Sequence, residues 1–183
     1  MSGGHGHVEH HGGNKGVALL ISILALVLAF AETLGKGAQT NALAMNIEAS
    51  NLWAFFQAKT IRQTVLRTTA EQTEILNPTQ NSTKQAEAWR KTAQRYQSEP
   101  ETGEGRDQLA ARAKQAEKKR DTSMAAYHHY ELASAVVQIA IVLASASIIA
   151  EIVALVWIAA GLGALGVAFC LIGFFWPTAV HLF

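Results

Sequence analysis

The residues of this chain that could do chemistry begin with a histidine cluster near the N-terminus. Neutral imidazoles are good ligands for zinc, copper and nickel. The spacing lacks the regularity of a structural zinc site, and glycine-rich flanks cannot order before a metal arrives. The cluster therefore predicts divalent-metal affinity, either without a physiological role or as a metal-sensing or metal-delivering tail. The candidate metal ligands are His5, His7, His10 and His11, with Glu9 among them.

Three polar residues, Glu32, Gln138 and Glu151, lie in or at the ends of long apolar segments. Such groups are costly in lipid and usually face a partner or water. We expect both glutamates to anchor the chain at the membrane interface, with Glu32 able to reach His128, His129 or a neighbouring subunit. The alternative is an ion path. Gln138 is the one strongly polar residue near mid-membrane, and this disfavours a transporter core.

The sequence carries no motif of a known catalytic class. It lacks a glycine-rich phosphate loop, a cysteine–histidine zinc pattern, a nucleophile elbow and a paired-carboxylate motif. We therefore expect a non-enzymatic protein without a bound cofactor. Its single cysteine, Cys170, cannot form an internal disulfide, and a thiol inside an apolar segment is expected to pack rather than react.

Three apolar segments determine the organisation of the chain. A bilayer core about 30 Å thick requires about 20 apolar residues for a spanning helix, and each segment is close to that length. All but one of the 15 Lys and Arg residues lie between Lys36 and Arg120, which assigns the intervening segment to an extramembrane module. The predicted boundaries are 1–16 for a flexible tail, 17–34, 131–150 and 152–176 for the spans, 35–130 for the module and 177–183 for a C-terminal tail.

The predicted fold is all-α, with three transmembrane helices and an extramembrane hairpin of two or three long coiled-coil-like helices. The step Gly35–Gly37 predicts a break or a swivel at the membrane surface. Pro78 predicts the end of the first module helix, because proline lacks the amide donor and restricts the residue before it. The module helices are expected at 41–76, at 79–98, and from 107 without interruption through the second span.

Aromatic residues and a heptad pattern mark the expected contacts of the module. Trp53, Phe55 and Phe56 form its densest motif, an aromatic set that packs within a hairpin or joins neighbouring copies. A four–three spacing predicts a coiled-coil seam on the first module helix. Its members are Ala54, Ala58, Ile61, Val65, Thr68, Gln72 and Ile75.

The spans carry their own expected contacts. Gly163 and Gly166 lie on a stripe of small residues, which lets helix backbones approach closely in lipid. Tyr127 and Tyr130 are expected at the headgroup level, where aromatic rings with one wet end are favoured. Together with Trp53, Phe55, Phe56 and Ile61, these residues are the predicted interface.

The run from Asn46 to Gln63, Asn-Ile-Glu-Ala-Ser-Asn-Leu-Trp-Ala-Phe-Phe-Gln-Ala-Lys-Thr-Ile-Arg-Gln, resembles the signature of a bacterial membrane family, domain of unknown function 4337. The stretches 127–133 and 138–145 are a second match. The resemblance covers nearly the whole chain and implies an inner-membrane protein with three spans and a helical module. It implies no activity. It also implies basic residues in the turn between the last two spans. This chain carries Glu151 there instead, so the resemblance does not determine the orientation in the membrane.

Two classes of function are compatible with this organisation. The first is a non-catalytic, homo-oligomeric scaffold protein or an accessory subunit of a larger membrane complex. The alternative is an oligomeric pore or transport component in which Glu32 or the histidine tail selects an ion or metal. The expected partners are membrane lipids, further copies of the chain and a larger membrane complex, without nucleic acid. We expect a multi-pass protein of the bacterial inner membrane, with orientation open because long loops translocate largely regardless of charge.

Overall fold

The computed structural model describes the backbone of residues 11–179 and the side chains of residues 15–179. Within this range the chain consists of helices and the irregular segments that join them, without a strand, so the predicted all-α class is confirmed. It forms two compact units, which divide at Thr40/Asn41 and at Asp121/Thr122. We call them the span unit, which comprises the described residues up to 40 and from 122, and the module, residues 41–121. The described residues form four helices, α1 (His11–Leu76), α2 (Gln80–Gln97), α3 (Arg106–Ala150) and α4 (Val153–Phe175).

Helix α1 runs through Gly35 and Gly37 without interruption. The Gly-Lys-Gly step predicts a break here, and that prediction is wrong. A Cβ atom at Gly35 would lie 3.3 Å from the Cβ of Tyr130, so this glycine permits a close approach of α1 and α3. Packing of this kind opposes the roughly 1 kcal/mol that Gly35 costs a helix relative to alanine, whereas Gly37 has no atom within 4 Å of a corresponding Cβ.

The other predicted helix limits agree with the structure. Helix α1 ends two residues before Pro78, and α2 begins after Thr79, which shares a reciprocal capping box with Ser82. Helix α3 is a single helix from Arg106 to Ala150, as its unbroken periodicity predicts.

The span unit has large apolar side chains outside and small ones inside. Helices α1, α3 and α4 are each long and apolar enough to cross a membrane. Val142, Trp157 and Phe174 are more than 60% exposed. Two larger side chains, Val137 and His129, are fully buried. Most of the other buried positions are alanines and glycines, among them Ala31, Ala133, Ala140, Ala144, Ala159, Gly163, Gly166 and Gly173.

A tight turn joins α3 to α4. Helix α3 ends at Ala150 and α4 begins at Val153, which leaves Glu151 and Ile152 between them. Glu151 has a φ of 55°, the left-handed conformation that costs a non-glycine residue about 1–2 kcal/mol. The prediction of a short turn at Glu151 is confirmed.

The module packs three helical segments around a mixed core. Leu52 on α1 and Leu109 and Ala113 on α3 form its apolar centre, with three half-buried aromatic residues packed against them. Helix α2 contributes the buried alanines Ala86 and Ala93. The face of α1 that turns into this core carries buried residues at spacings of three, four or seven, as a heptad repeat does: Ala42, Ala49, Leu52, Lys59, Gln63 and Ala70.

Candidate interaction surfaces

The module segment of α1 has two seams on opposite faces. The inner seam is the buried set from Ala42 to Ala70 given above. The predicted seam from Ala54 to Ile75 is displaced from it by two residues, which is about 200° around a helix. It therefore faces away from the core, and all its members are exposed except the half-buried Ala58. We call it the outer seam and extend it by one heptad to include Ile47 and Asn51.

The outer seam is apolar or neutral over its whole length. Ile61 is 65% exposed, Val65 57% and Ile75 78%. No charged residue occupies any of its nine positions. A solvated helix face normally carries charges, so this surface is atypical of one that remains in water.

The inner seam is unusually polar at its centre. Lys59 is 5% exposed, and its ammonium lies 3.5 Å from a carboxylate oxygen of Glu99 and 3.7 Å from one of Glu104. The same ammonium lies 5.4 Å and 5.2 Å from the ring centroids of Phe55 and Tyr96. These groups replace water around a buried cation, as burial of a charge requires.

A second polar contact adjoins the first. The Gln63 amide donates to the carbonyl of Ala93 at 2.9 Å and accepts from Arg106 at 2.6 Å. The Arg106 guanidinium also lies 4.8 Å from the ring centroid of Phe56. This network joins all three helical segments of the module. Lys59 is ion-paired, and Arg106 donates to the amide oxygens of Gln63 and Gln97, while its Nε is buried without a hydrogen-bond partner among the described residues. We assign the network to the architecture rather than to catalysis.

The predicted interface residues of the module divide between its inside and its surface. Trp53 and Phe56 are half-buried in edge-to-face contact, with ring centroids 5.4 Å apart. The Trp53 indole donates to Glu117 at 2.8 Å. Phe55 faces Lys59 as described. Only Ile61 of this group lies on the exposed surface.

Polar side chains also meet in the span unit. The Gln138 amide donates to a carboxylate oxygen of Glu32 at 3.4 Å, and both residues are exposed at the surface of the unit. The Tyr127 hydroxyl donates to Glu131 at 3.3 Å. Glu32 and Glu131 line the same open cleft, which lies between α1 and α3 and has a volume of about 380 Å³. Glu151 is in the exposed turn and does not line this cleft.

A family model described as Domain of unknown function (DUF4337) matches residues 13–176. The chain belongs to the DUF4337 family. This confirms the resemblance carried by the run from Asn46 to Gln63. No curated protein and no solved structure matches the chain.

In this DUF4337 protein the glycine stripe of α4 packs inside the span unit. A Cβ atom at Gly163 would overlap the end of the Leu24 side chain, and one at Gly166 would overlap Val137. Tyr130 is 5% exposed and lies against Gly173. These close approaches are made within one chain. Cys170 on the same helix is a half-buried free thiol.

The sequence suggests His129 only as a residue within reach of Glu32 and does not predict its burial. It is 1% exposed, with Nε2 3.2 Å from the carbonyl of Pro177, and its Nδ1 is buried without a hydrogen-bond partner among the described residues. The signal was present in the periodicity, because His129 precedes Ala133 and Val137 on the small-residue face of α3.

The predicted metal ligands are outside what the structure describes. His5, His7 and His10 precede the described residues, and the side chain of His11 is likewise not described. Among the residues that are described, no group of three or more His, Cys, Asp or Glu side chains could hold a metal ion.

Proposed function

We propose that this protein is a non-catalytic membrane scaffold, or an accessory subunit of a membrane complex, that assembles as a homo-oligomer. Membrane insertion is supported by the arrangement of side chains in the span unit. Its outward surface is formed by large apolar residues, and exposed apolar surface of this extent marks contact with lipid or protein. We further propose the bacterial inner membrane as its location.

The outer seam is the observation that carries the proposal. A neutral surface with a seven-residue repeat matches the packing surface of a coiled coil, where each side chain enters a hole on a neighbouring helix. Small residues at Ala54 and Ala58 allow close approach of the helices. Asn51 occupies a position of the repeat at which a polar side chain specifies register.

A second copy of the same segment is the occupant that fits best. Copies inserted in one bilayer share one orientation, so their α1 helices run parallel and bring identical heptad positions to the same level. The absence of charge along the seam then avoids the repulsion that like charges would produce at such a symmetric contact.

The test is the mass of the purified full-length protein in mild detergent, determined by light scattering. The perturbing variant carries Ile61→Glu and Val65→Glu. Burial of the exposed parts of these two side chains contributes about 2–4 kcal/mol per copy. We therefore expect dissociation of the oligomer, with a dissociation constant raised at least about tenfold.

The matched control carries Ala88→Glu and Ala111→Glu, which add the same charge at exposed positions of α2 and α3. We expect its mass to equal that of the unmodified protein. A monomeric unmodified protein would contradict self-assembly, and an intact oligomer in the Ile61/Val65 variant would exclude the outer seam as its contact. A closed ring with Glu32 around an axial opening, seen by electron microscopy, would favour the pore alternative instead.

A further inference from the structure

The cleft between α1 and α3 of the span unit combines charges of both signs. Glu32 from α1 and Glu131 from α3 contribute carboxylates, and Lys36 is the one lysine or arginine among its described lining residues. The other polar lining residues are Gln39, Tyr127, Tyr130 and Ser134. Such a set complements a ligand that bears both an ammonium and an anionic group, because each ligand charge then has a partner.

The two carboxylates are held by other side chains. Glu32 accepts a hydrogen bond from Gln138, and Glu131 accepts one from Tyr127 and lies 3.6 Å from Nδ1 of His128. The two contacts of Glu131 engage one oxygen each, whereas the second oxygen of Glu32 forms no hydrogen bond or ion pair with a described residue. Positioned acceptors favour a ligand that donates several hydrogen bonds, as a primary ammonium does.

Apolar surface adjoins the cleft on α3. Val142, one helical turn beyond the Gln138 that contacts Glu32, is 66% exposed. A ligand with a zwitterionic head and hydrocarbon chains can therefore place its head in the cleft and its chains on this surface. The arrangement lies at the end of the α1 apolar segment, where headgroups would be found.

We propose that this cleft binds the headgroup of a primary-amine phospholipid of the phosphatidylethanolamine type. The ammonium would contact Glu32 and Glu131, and the phosphate would contact Lys36. This assignment rests on the membrane insertion proposed above and is independent of the outer seam.

The experiment is native mass spectrometry of the full-length protein, purified in detergent and titrated with phospholipids of identical acyl chains. The lipids are phosphatidylethanolamine, phosphatidylcholine and phosphatidylglycerol. We expect the first to bind about tenfold more tightly than the other two, because a quaternary amine cannot donate hydrogen bonds and glycerol carries no positive charge. Equal occupancy by all three lipids would mean annular lipid only and would overturn the proposal.

Variants locate the site. Glu32→Gln should remove most of the preference for phosphatidylethanolamine over phosphatidylcholine, whereas Lys36→Gln should weaken both lipids to a similar extent. The matched controls are Glu151→Gln and Lys15→Gln, which make the same charge changes elsewhere in the span unit. A preference that survives Glu32→Gln, or that falls equally with Glu151→Gln, would exclude the cleft.

Free phosphoethanolamine distinguishes a lipid from a soluble ligand. We expect it to displace no bound lipid at equal concentration, since it lacks acyl chains, and displacement would overturn the lipid assignment. The same spectra report the mass of the protein assembly. A monomer that still prefers phosphatidylethanolamine would contradict only the scaffold proposal. An oligomer without that preference would contradict only the lipid site.

Discussion

Replacing Gly166 with alanine should destabilise the span unit, while the same replacement at Gly161 should not. A Cβ atom at Gly166 would overlap Cγ2 of Val137 and lie 3.3 Å from the carbonyl oxygen of Ala133. Val137 is fully buried and β-branched, so it has essentially one rotamer available in a helix. Gly161 has no atom within 4 Å of the corresponding position.

The pair of variants isolates the packing energy. Alanine favours a helix over glycine by about 1 kcal/mol, and this gain is common to both positions. Overpacking of a close-packed interior costs about 1–3 kcal/mol. We therefore expect Gly166→Ala to be less stable than Gly161→Ala by about 1–3 kcal/mol. Gly163→Ala should fall between them, because its Cβ would meet the flexible end of Leu24.

The assay is reversible unfolding of the full-length protein in mixed micelles of mild and denaturing detergent, followed by circular dichroism. The quantity compared is the free energy of unfolding of each variant relative to the unmodified protein. Values for Gly166→Ala and Gly161→Ala that agree within about 0.5 kcal/mol would refute a close contact between α3 and α4 at this level.

Two further predictions concern Glu74 in the module and Glu151 in the turn between α3 and α4. Arg90 donates two hydrogen bonds to Glu74 and holds the pKa of that carboxyl below its ordinary value. The resulting stabilisation is present above the unfolded-state pKa and is lost as the pH falls through the lower folded-state value. Thermal denaturation should thus show a small advantage of the unmodified protein over Glu74→Gln at pH 6 that is smaller at pH 3, and a constant difference would contradict the ion pair. Glu151→Gly should raise the free energy of unfolding by about 1 kcal/mol, because glycine adopts a positive φ without the steric cost; a destabilised variant would argue against the left-handed turn.

Helix ends were predictable wherever a local signal determines them. Pro78 ends α1 by its own covalent structure, and the apolar stretches on either side of Glu151 leave room for only a short turn. The prediction at the Gly35–Gly37 step was wrong because helix propensity reflects the local sequence alone. The contact between Gly35 and Tyr130 joins residues nearly a hundred positions apart, and no local pattern contains it.

The candidate surfaces show the same division. The heptad pattern from Ala54 to Ile75 lies on the exposed outer seam, and its packing against another helix stays a prediction. The buried inner seam, which carries Lys59 and Gln63 at its centre, was not predicted. From sequence alone, a lysine and a glutamine are predicted to lie on the surface, because their buried partners are not known. Those partners, Glu99 and the carbonyl of Ala93, lie on or beyond a different helix, so burial of the inner seam is a property of the tertiary fold.

The polar inner seam has a consequence for how the module responds to temperature. Exposure of apolar surface raises the heat capacity on unfolding, whereas exposure of polar surface lowers it. A core that buries Lys59, Gln63 and much of Arg106 therefore has a smaller heat-capacity change than a leucine core of equal size. Its stability curve is correspondingly broad and flat, and the module loses little of its stability on cooling.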